Sequence, residues 1–498
     1  MEPVAEHVRS SYSLAAWVFR RSLGVVYLFA FWSLARQIVG LVGHDGILPA
    51  GEYMNAARAW AAAGNVGLDR FRVLPTLFWI STSDAFLRAL SFGGAALAAL
   101  LVAGIAPMVV LPLLWLAYLS LSVVGQDFLG YQWDALLLET GFLASFMAPA
   151  VWRDRLRDAA DPPRLARWLM WWLIFRLIAG SGAIKLASGD PTWRNLTALT
   201  FHYETQPIPT PVAWYAQQLP RWLHETTTAI VLGTELLVPA LVFGRQQLRT
   251  LACAMLAVLQ ILIALTGNYA FFNLLTLALL VLLVDDATIA KLTGRLAEHA
   301  PIVHASRLRM AALLVAAVIT LPASALQFGR SLGVDLAGVP LLEDPARLVA
   351  PFRSVNSYGL FAVMTTTRPE IIVEGSNDGV DWKAYEFSYK PGDLERRPPW
   401  VAPYQPRLDW QMWFAALGGY ESEEWFGAFC ERLLEGAPEV LALLERDPFS
   451  GAPPRYVRAV LHQYRFSDTA TRRTSGAWWT EERLGAYSPV LSRPAEKN

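Results

Sequence analysis

The sequence predicts a mainly α fold: a polytopic membrane helix bundle of about nine spans, followed by a small extracytoplasmic α+β domain with a β-sandwich-like core. Three observations predict it. The chain is 54% hydrophobic and only 17% charged over 498 residues, too apolar for a soluble protein of that length. Apolar runs of about 16–22 residues, the length that crosses a hydrocarbon core, recur along its first two thirds. From about residue 350 the composition shifts to alternating, turn-punctuated segments.

The expected spans fall near 18–42, 85–105, 107–124, 134–150, 166–187, 228–244, 249–266, 270–284 and 310–328. The first is long enough to act as an uncleaved anchor and is not followed by a small-residue cleavage site. Pro107 and Pro112 divide 85–124 into two or, alternatively, kink one long element, since proline interrupts a helix interior. Lysine and arginine near helix ends stay cytoplasmic, which sets the orientation. With the N-terminus inside, the inner segments hold Arg9, Arg20, Arg21, Arg153, Arg155, Arg157, Arg164, Arg167, Arg245, Arg249, Lys291, Arg295, Arg307 and Arg309, fourteen in all. The outer connections hold five: Arg58, Arg70, Arg72, Arg194 and Arg221. The N-terminus is therefore expected in the cytoplasm and everything after about residue 329 outside it. Arginine outnumbers lysine and alanine is abundant, a bias of high-GC bacterial genomes, so a bacterial inner membrane is expected, or an endoplasmic reticulum membrane if the chain is eukaryotic. The long segment 43–84, with Trp60, Phe71 and Trp79, is expected to lie along the membrane interface.

The expected domains are 1–330, transmembrane, 331–349, a linker, and 350–498, soluble. In the last, "PEIIVEGSNDGVDWKAYEFSYKPG" reads as a β-hairpin turning at Asp378-Gly379, with Tyr385, Phe387 and Tyr389 on one face of its second strand. "RRPPWVAPYQP" is too proline-rich for helix or central strand. "LDWQMWFAAL" and "EEWFGAFCERLLEGAPEVLALLE" read as amphipathic helices, and "PRYVRAVLHQYRF" as a returning strand.

Formal net charge is zero and no basic tract is present, which argues against a nucleic-acid partner. Cys253 and Cys430 stand far apart, and neither they nor the histidines form a metal-ligand pattern. Charged residues inside spans are costly, by about 2.5–3.5 kcal/mol each, and usually face the bundle interior with partners. Here they are Arg36, Arg88, Glu139, Arg176, Lys185 and Glu235. Matching them by depth predicts the pairs Arg176 with Glu235 and Lys185 with Glu139. Two readings of Lys185 stay open. It locks helices together, or, desolvated beside Gly180, Ser181, Gly182 and Ala183, it serves as a base with Glu139 and His202 as companions.

The unusual loops all fall on the outer side: "GHDGILP", "GQDFLGYQWD", "GNYAF" and the stretch after Lys185. Their outer-face candidates are Asp127, Gln132, Trp133, Asp134, Glu139, Lys185, Asp190, Trp193, His202, Glu204, Asn268 and Asn273. His202 and Glu204, two apart in an extended loop, would share one side. "NLT" at 195–197 is an acceptor sequon. Trp400, Tyr404, Trp410 and Trp413, around the proline-rich loop, are candidates for an aromatic client-binding patch. No cofactor is expected.

Several segments together, "QDFLGYQWDALLLETGFLA", "SGAIKLASGDPTWRNLTALTFHYETQPIPTP", "GNYAFFNLLTLALL" and "VNSYGLFAVMTTTRPEIIVEGSNDGVDWKAYEFSYKPG" with "PRYVRAVLHQYRF", resemble the lipase maturation factor family, over about 120–490. The resemblance implies a multi-pass protein of the endoplasmic reticulum membrane. Such a protein assists folding and dimer assembly of secreted homodimeric lipases through its non-cytoplasmic C-terminal domain. Gly182, Lys185, Leu186, Asp190 and Trp193 are more distantly similar to the HTTM-like membrane domain shared with vitamin K-dependent γ-carboxylase, where the lysine similar in position is the proposed base.

The expected function is that of a maturation factor or membrane-tethered chaperone, with membrane lipids and a secreted client such as a lipase as partners. It would act by binding rather than turnover. The alternative is an integral-membrane enzyme of the carboxylase-like superfamily using Lys185.

Overall fold

The computed structural model describes residues 11–293, 306–336, 338–449 and 452–493, so Arg9 and Arg295 of the charge count lie outside the described residues. The bundle is built from α1 (Ser13–Ala35), α2 (Ala50–Ala63), α3 (Asp84–Ala103), α4 (Pro107–Val124), α5 (Gln132–Met147), α6 (Arg164–Ala187), α7 (Leu199–Thr205), α8 (Arg221–Leu237), α9 (Gln246–Thr266), α10 (Phe272–Leu280) and α11 (Arg307–Ser331), with α12 (Pro340–Val349) after it.

Among the described residues, seven helices are long and apolar enough to cross a membrane: α1, α3, α4, α6, Arg221–Phe243, α9 and α11. Phe272–Leu283 with Asp286–Leu292 makes an eighth if that pair, bent by 109°, is one span. The expected division of 85–124 is present, with Ala106 at a left-handed φ of 42° just before Pro107. The remaining expected span, 134–150, is the 16-residue α5, shorter and mostly buried. It still runs from one end of the bundle to the other. Asp134 in its first turn meets the C-terminal region, whereas the Phe146 carbonyl near its last turn accepts from Arg309 at 2.6 Å.

Tight helix contacts depend on small residues. A Cβ on Gly94 of α3 would stand 2.3 Å from the Phe31 ring of α1, so only glycine lets the two axes approach this closely. At one end, the arginine-rich connections expected on the inner side tie together. Arg20 holds Asp154 at 2.8 and 2.9 Å, Ser13 donates to Asp286 at 2.7 Å, and Arg249 reaches the Tyr12 hydroxyl at 3.0 Å.

The C-terminal region carries α13 (Arg407–Leu417), α14 (Glu424–Glu435) and seven strands: β1 (Arg368–Ser376), β2 (Lys383–Ala384), β3 (Glu386–Phe387), β4 (Leu444–Arg446), β5 (Tyr456–Phe466), β6 (Trp479–Ala486) and β7 (Leu491–Ser492). The expected hairpin turns at Gly379, whose φ of +78° suits glycine. Its return strand is only two residues long before the chain breaks off to pair β3 with β4. The β-sandwich expectation is corrected. The region is one five-stranded antiparallel sheet, ordered β2-β1-β5-β6 with β7 also on β5, and a separate β3-β4 ribbon. The physical reason is that helices rather than a second sheet cover the apolar residues: Ile371, Val373 and Val457 join one core with Leu408, Met412, Phe429 and Leu433 of α13 and α14.

Candidate functional site

The end of the bundle opposite the Arg20–Asp154 pair is where the C-terminal region sits, and nearly every outer-face candidate is consumed in holding it. Asp134 accepts from both Arg407 terminal nitrogens at 2.9 Å, and the Tyr118 hydroxyl donates to the same carboxylate. Both side chains of this bidentate pair are at most 1% exposed. Arg407 also donates to the Phe128 carbonyl at 2.6 Å, and Gln411 donates to the carbonyl of Asp127. Trp133 stacks on Tyr131 and meets Trp410 edge-on, each with ring centres 4.7 Å apart. Gln132 accepts from the Gly359 amide at 3.0 Å. The "QDFLGYQWD" loop is therefore a docking plate: a charge for Arg407, carbonyls for its spare donors and aromatic faces for α13.

The charges inside the membrane helices are paired, but with exchanged partners. Arg176 binds Glu139, not Glu235, and Lys185 binds Glu235, not Glu139. The reason is an insertion that depth-matching cannot foresee. The stretch 354–361 runs between α5 and α6, where Glu139 accepts from the Asn356 amide at 3.0 Å and the Tyr358 hydroxyl at 2.7 Å, while Arg176 donates to the Asn356 carbonyl at 3.1 Å. Irregular backbone at such a position is tolerated because protein groups satisfy it. On the far side of α6, Lys185 Nζ lies 2.8 and 2.5 Å from the two Glu235 oxygens and 5.1 Å above the Trp193 ring. The small residues beside Lys185 serve close contact rather than a cavity. A Cβ on Gly182 would stand 2.9 Å from Glu235 Cβ, and one on Gly180 3.2 Å from the Tyr358 carbonyl. Of the other charges, Arg88 pairs with Glu439 at 2.8 Å near the surface, and Arg36 is exposed.

His202 and Glu204 do not form a pair. They lie on a helix, α7, not an extended loop, and two residues on a helix point about 200° apart. The His202 Nε2 meets the Tyr269 hydroxyl at 3.1 Å, its ring packs edge-on against Phe361, and burial, helped by the Lys185 charge, pushes its pKa down to about 4. It is neutral at neutral pH. Glu204 accepts from the Phe466 amide at 2.8 Å, and burial raises its pKa. Asp190 caps Thr192 at 2.7 Å and accepts from the Met364 amide at 2.5 Å, and Trp193 donates to the Phe361 carbonyl at 2.9 Å. Asn268 accepts from the Val401 and Ala402 amides at 2.8 and 3.0 Å and donates to the Pro399 carbonyl at 2.9 Å. Asn273 stands apart, bonded to Gln260 at 2.8 Å between α9 and α10.

The expected aromatic patch is also corrected. Trp410 and Trp413 are 2% and 6% exposed, and Trp413 donates to the Thr205 carbonyl at 2.8 Å, so both belong to the seam rather than to a free surface. Tyr404 packs on Tyr389, and only Trp400, at 55%, is open.

Sequence reasoning missed Arg368 and Arg407, which bring the positive side of the seam. Arg368 donates to the Glu204 and Pro207 carbonyls at 2.7 and 2.8 Å and to that of Gln206, with Glu370 2.7 Å away and Lys390 completing the cluster at 3.0 Å from that carboxylate. The available signal was a charge in an otherwise apolar context, Arg368 next to the "PEIIVEG" strand and Arg407 next to "LDWQMWF". Among the described residues no group of three or more His, Cys, Asp or Glu could hold a metal ion.

The comparisons agree with this two-part layout. Residues 14–291 match the family profile described as the lipase maturation factor transmembrane domain, and 354–489 the lipase maturation factor C-terminal domain. The chain is 36% identical to lipase maturation factor 2 of Gallus gallus, over 95% of this chain and 81% of that protein. It is 35% identical to lipase maturation factor 2 of Homo sapiens, over 95% and 82%. To lipase maturation factor 1 of Bos taurus it is 36% identical, over 96% and 88%. No solved structure matches.

Proposed function

We propose, from the premise that the chain belongs to the lipase maturation factor family, that this multi-pass membrane protein assists the folding or assembly of exported client proteins, lipases among them, by binding rather than by turnover. The observation that carries the reading is the seam. Carboxylate and amide side chains of the membrane part, Asp134, Glu139 and Asn268 among them, are spent on the C-terminal region. A fixed platform is what a holding function requires, since an incompletely assembled partner has to be kept from aggregating until its own interface is buried. The enzyme alternative draws no support from Lys185, whose ammonium is closed off by Glu235 and Trp193.

The orientation that goes with this reading has the N-terminus in the cytoplasm and the C-terminal region outside it, in a bacterial inner membrane. It rests on the fourteen-to-five distribution of positive residues. The test is the yield of active lipase exported by the native host with and without the chain, normalised to lipase synthesis. A loss restored by the wild-type chain is expected, and an unchanged yield of every exported lipase overturns the proposal. Deleting 350–498 is a poor substitute, because it strips Asp134, Glu139 and Asn268 of their partners.

A further inference from the structure

We infer that the segment 60–80, the last turn of α2 and the connection from it toward α3, is an anchor seated in the outer leaflet of the bilayer that the chain spans, with lipid as its partner. Its position is set by α4. Thr76 donates to the Ser120 carbonyl at 3.2 Å, and the Leu77 amide donates to the Ser120 hydroxyl at 3.1 Å. Ser120 lies four residues before the last residue of α4, Val124, which at 1.5 Å per residue is about 6 Å below the end of that helix. Phe78 is fully buried and packs edge-on against Phe86 in the first turn of α3, with ring centres 5.3 Å apart. Residues 76–78 are thus clamped to the flank of two membrane helices, below the outer end of α4 rather than above it.

Around this clamp the segment leaves large apolar side chains uncovered. Leu68 is 81% exposed, Ile80 77%, Trp60 50% and Phe71 43%. Further along the same two helices, Phe92 of α3 and Leu113 of α4 are exposed as well, and Met108 and Val109 extend the uncovered apolar side chains toward the other end of α4. Such a run of large apolar groups is costly against water and favourable against acyl chains. The polar groups of the segment sit as interfacial residues do. Arg70 lies 4.9 Å above the Phe71 ring and 5.2 Å above the Trp79 ring, and Arg72 pairs with Asp69 on the exposed side, a mixture of aromatic and arginine side chains that suits the headgroup layer. The anchor holds the docking plate at a fixed height, because the helix that carries Ser120 leads directly into the Gln126–Leu129 turn beneath Arg407 and Gln411. The inference stands independently of what the client is.

The test uses the full chain in lipid nanodiscs, with an environment-sensitive fluorophore on Leu68→Cys in a Cys253→Ser background, Cys430 being buried. Ile80→Cys replaces it if the first variant does not purify, and Val380→Cys, 77% exposed in the hairpin turn, is the aqueous reference. Quenching by doxyl-labelled phosphatidylcholine is compared with quenching by iodide. The expected result is a higher doxyl-to-iodide ratio at the anchor than at residue 380, with iodide quenching largely lost. A ratio equal to or below the reference overturns the inference.

Discussion

Lys185 and Glu235 form a closed pair across α6 and α8, with both carboxylate oxygens within 2.8 Å of Nζ and both side chains no more than 8% exposed. Removing one member leaves the other charge buried and unpaired, which costs about 3–5 kcal/mol. Lys185→Ala and Glu235→Ala are each expected to lower thermal stability in detergent or nanodiscs. The double variant Lys185→Met with Glu235→Leu is expected to recover most of the loss and to retain lipase maturation. Folded, inserted double variant without maturation activity would return Lys185 to a chemical role.

Arg407 and Asp134 should behave in the same way at the seam. Arg407→Met leaves the Asp134 carboxylate facing Tyr118 alone, and the expected loss is again about 3–5 kcal/mol. Limited proteolysis reads the consequence: the 354–492 region becomes cleavable at lower protease concentration while α1 to α6 stay protected. Adding Asp134→Asn is expected to restore part of the protection.

Gly182→Ala tests the close approach of α6 and α8. The new methyl meets Glu235 Cβ at 2.9 Å and its carbonyl carbon at 3.1 Å, so α8 must shift, an overpacking that costs about 1–3 kcal/mol. Gly233→Ala on α8, with nothing within 4 Å, is the matched control and should raise the unfolding temperature slightly, since alanine is the better helix former, rather than lower it.

His202 gives a pH dependence with a definite sign. Its folded pKa is lowered to about 4 from an ordinary value of 6.5, so the unfolded chain takes up a proton that the folded protein refuses. The stability associated with the neutral ring is fully present above about pH 6.5 and is lost as pH falls toward 4. Thermal unfolding of wild type against His202→Gln over this window should show a difference that narrows with acidification. A difference constant with pH would mean that the ring is not buried neutral.

Much of the fold was legible because a bilayer imposes a coarse rule that a sequence obeys openly. Apolar runs, proline breaks and arginine-rich connections placed the helices and brought Arg20, Arg249 and Arg309 to one end, and "LDWQMWFAAL" and "PRYVRAVLHQYRF" became α13 and β5 as their periodicity predicts. The candidate site was legible as a set of residues and illegible as a set of contacts. Asp134, Glu139, Lys185, Asp190, His202 and Asn268 were singled out for being polar in an apolar setting, which marks a residue that needs a partner without saying which.

By itself, then, the sequence determined that this is a multi-pass membrane protein with a smaller C-terminal β-containing region, and which polar side chains had to be satisfied inside it. Only the tertiary structure decided the partners. Arg176 took Glu139 because residues 354–361 enter between α5 and α6, Lys185 took Glu235 because Gly182 lets α8 come close, and Trp410 and Trp413 were withdrawn from the surface by docking. Periodicity and charge are properties of neighbours along the chain, whereas the pairs Arg176–Glu139, Lys185–Glu235 and Arg407–Asp134 join groups 37, 50 and 273 residues apart, whose meeting depends on every helix packed between them.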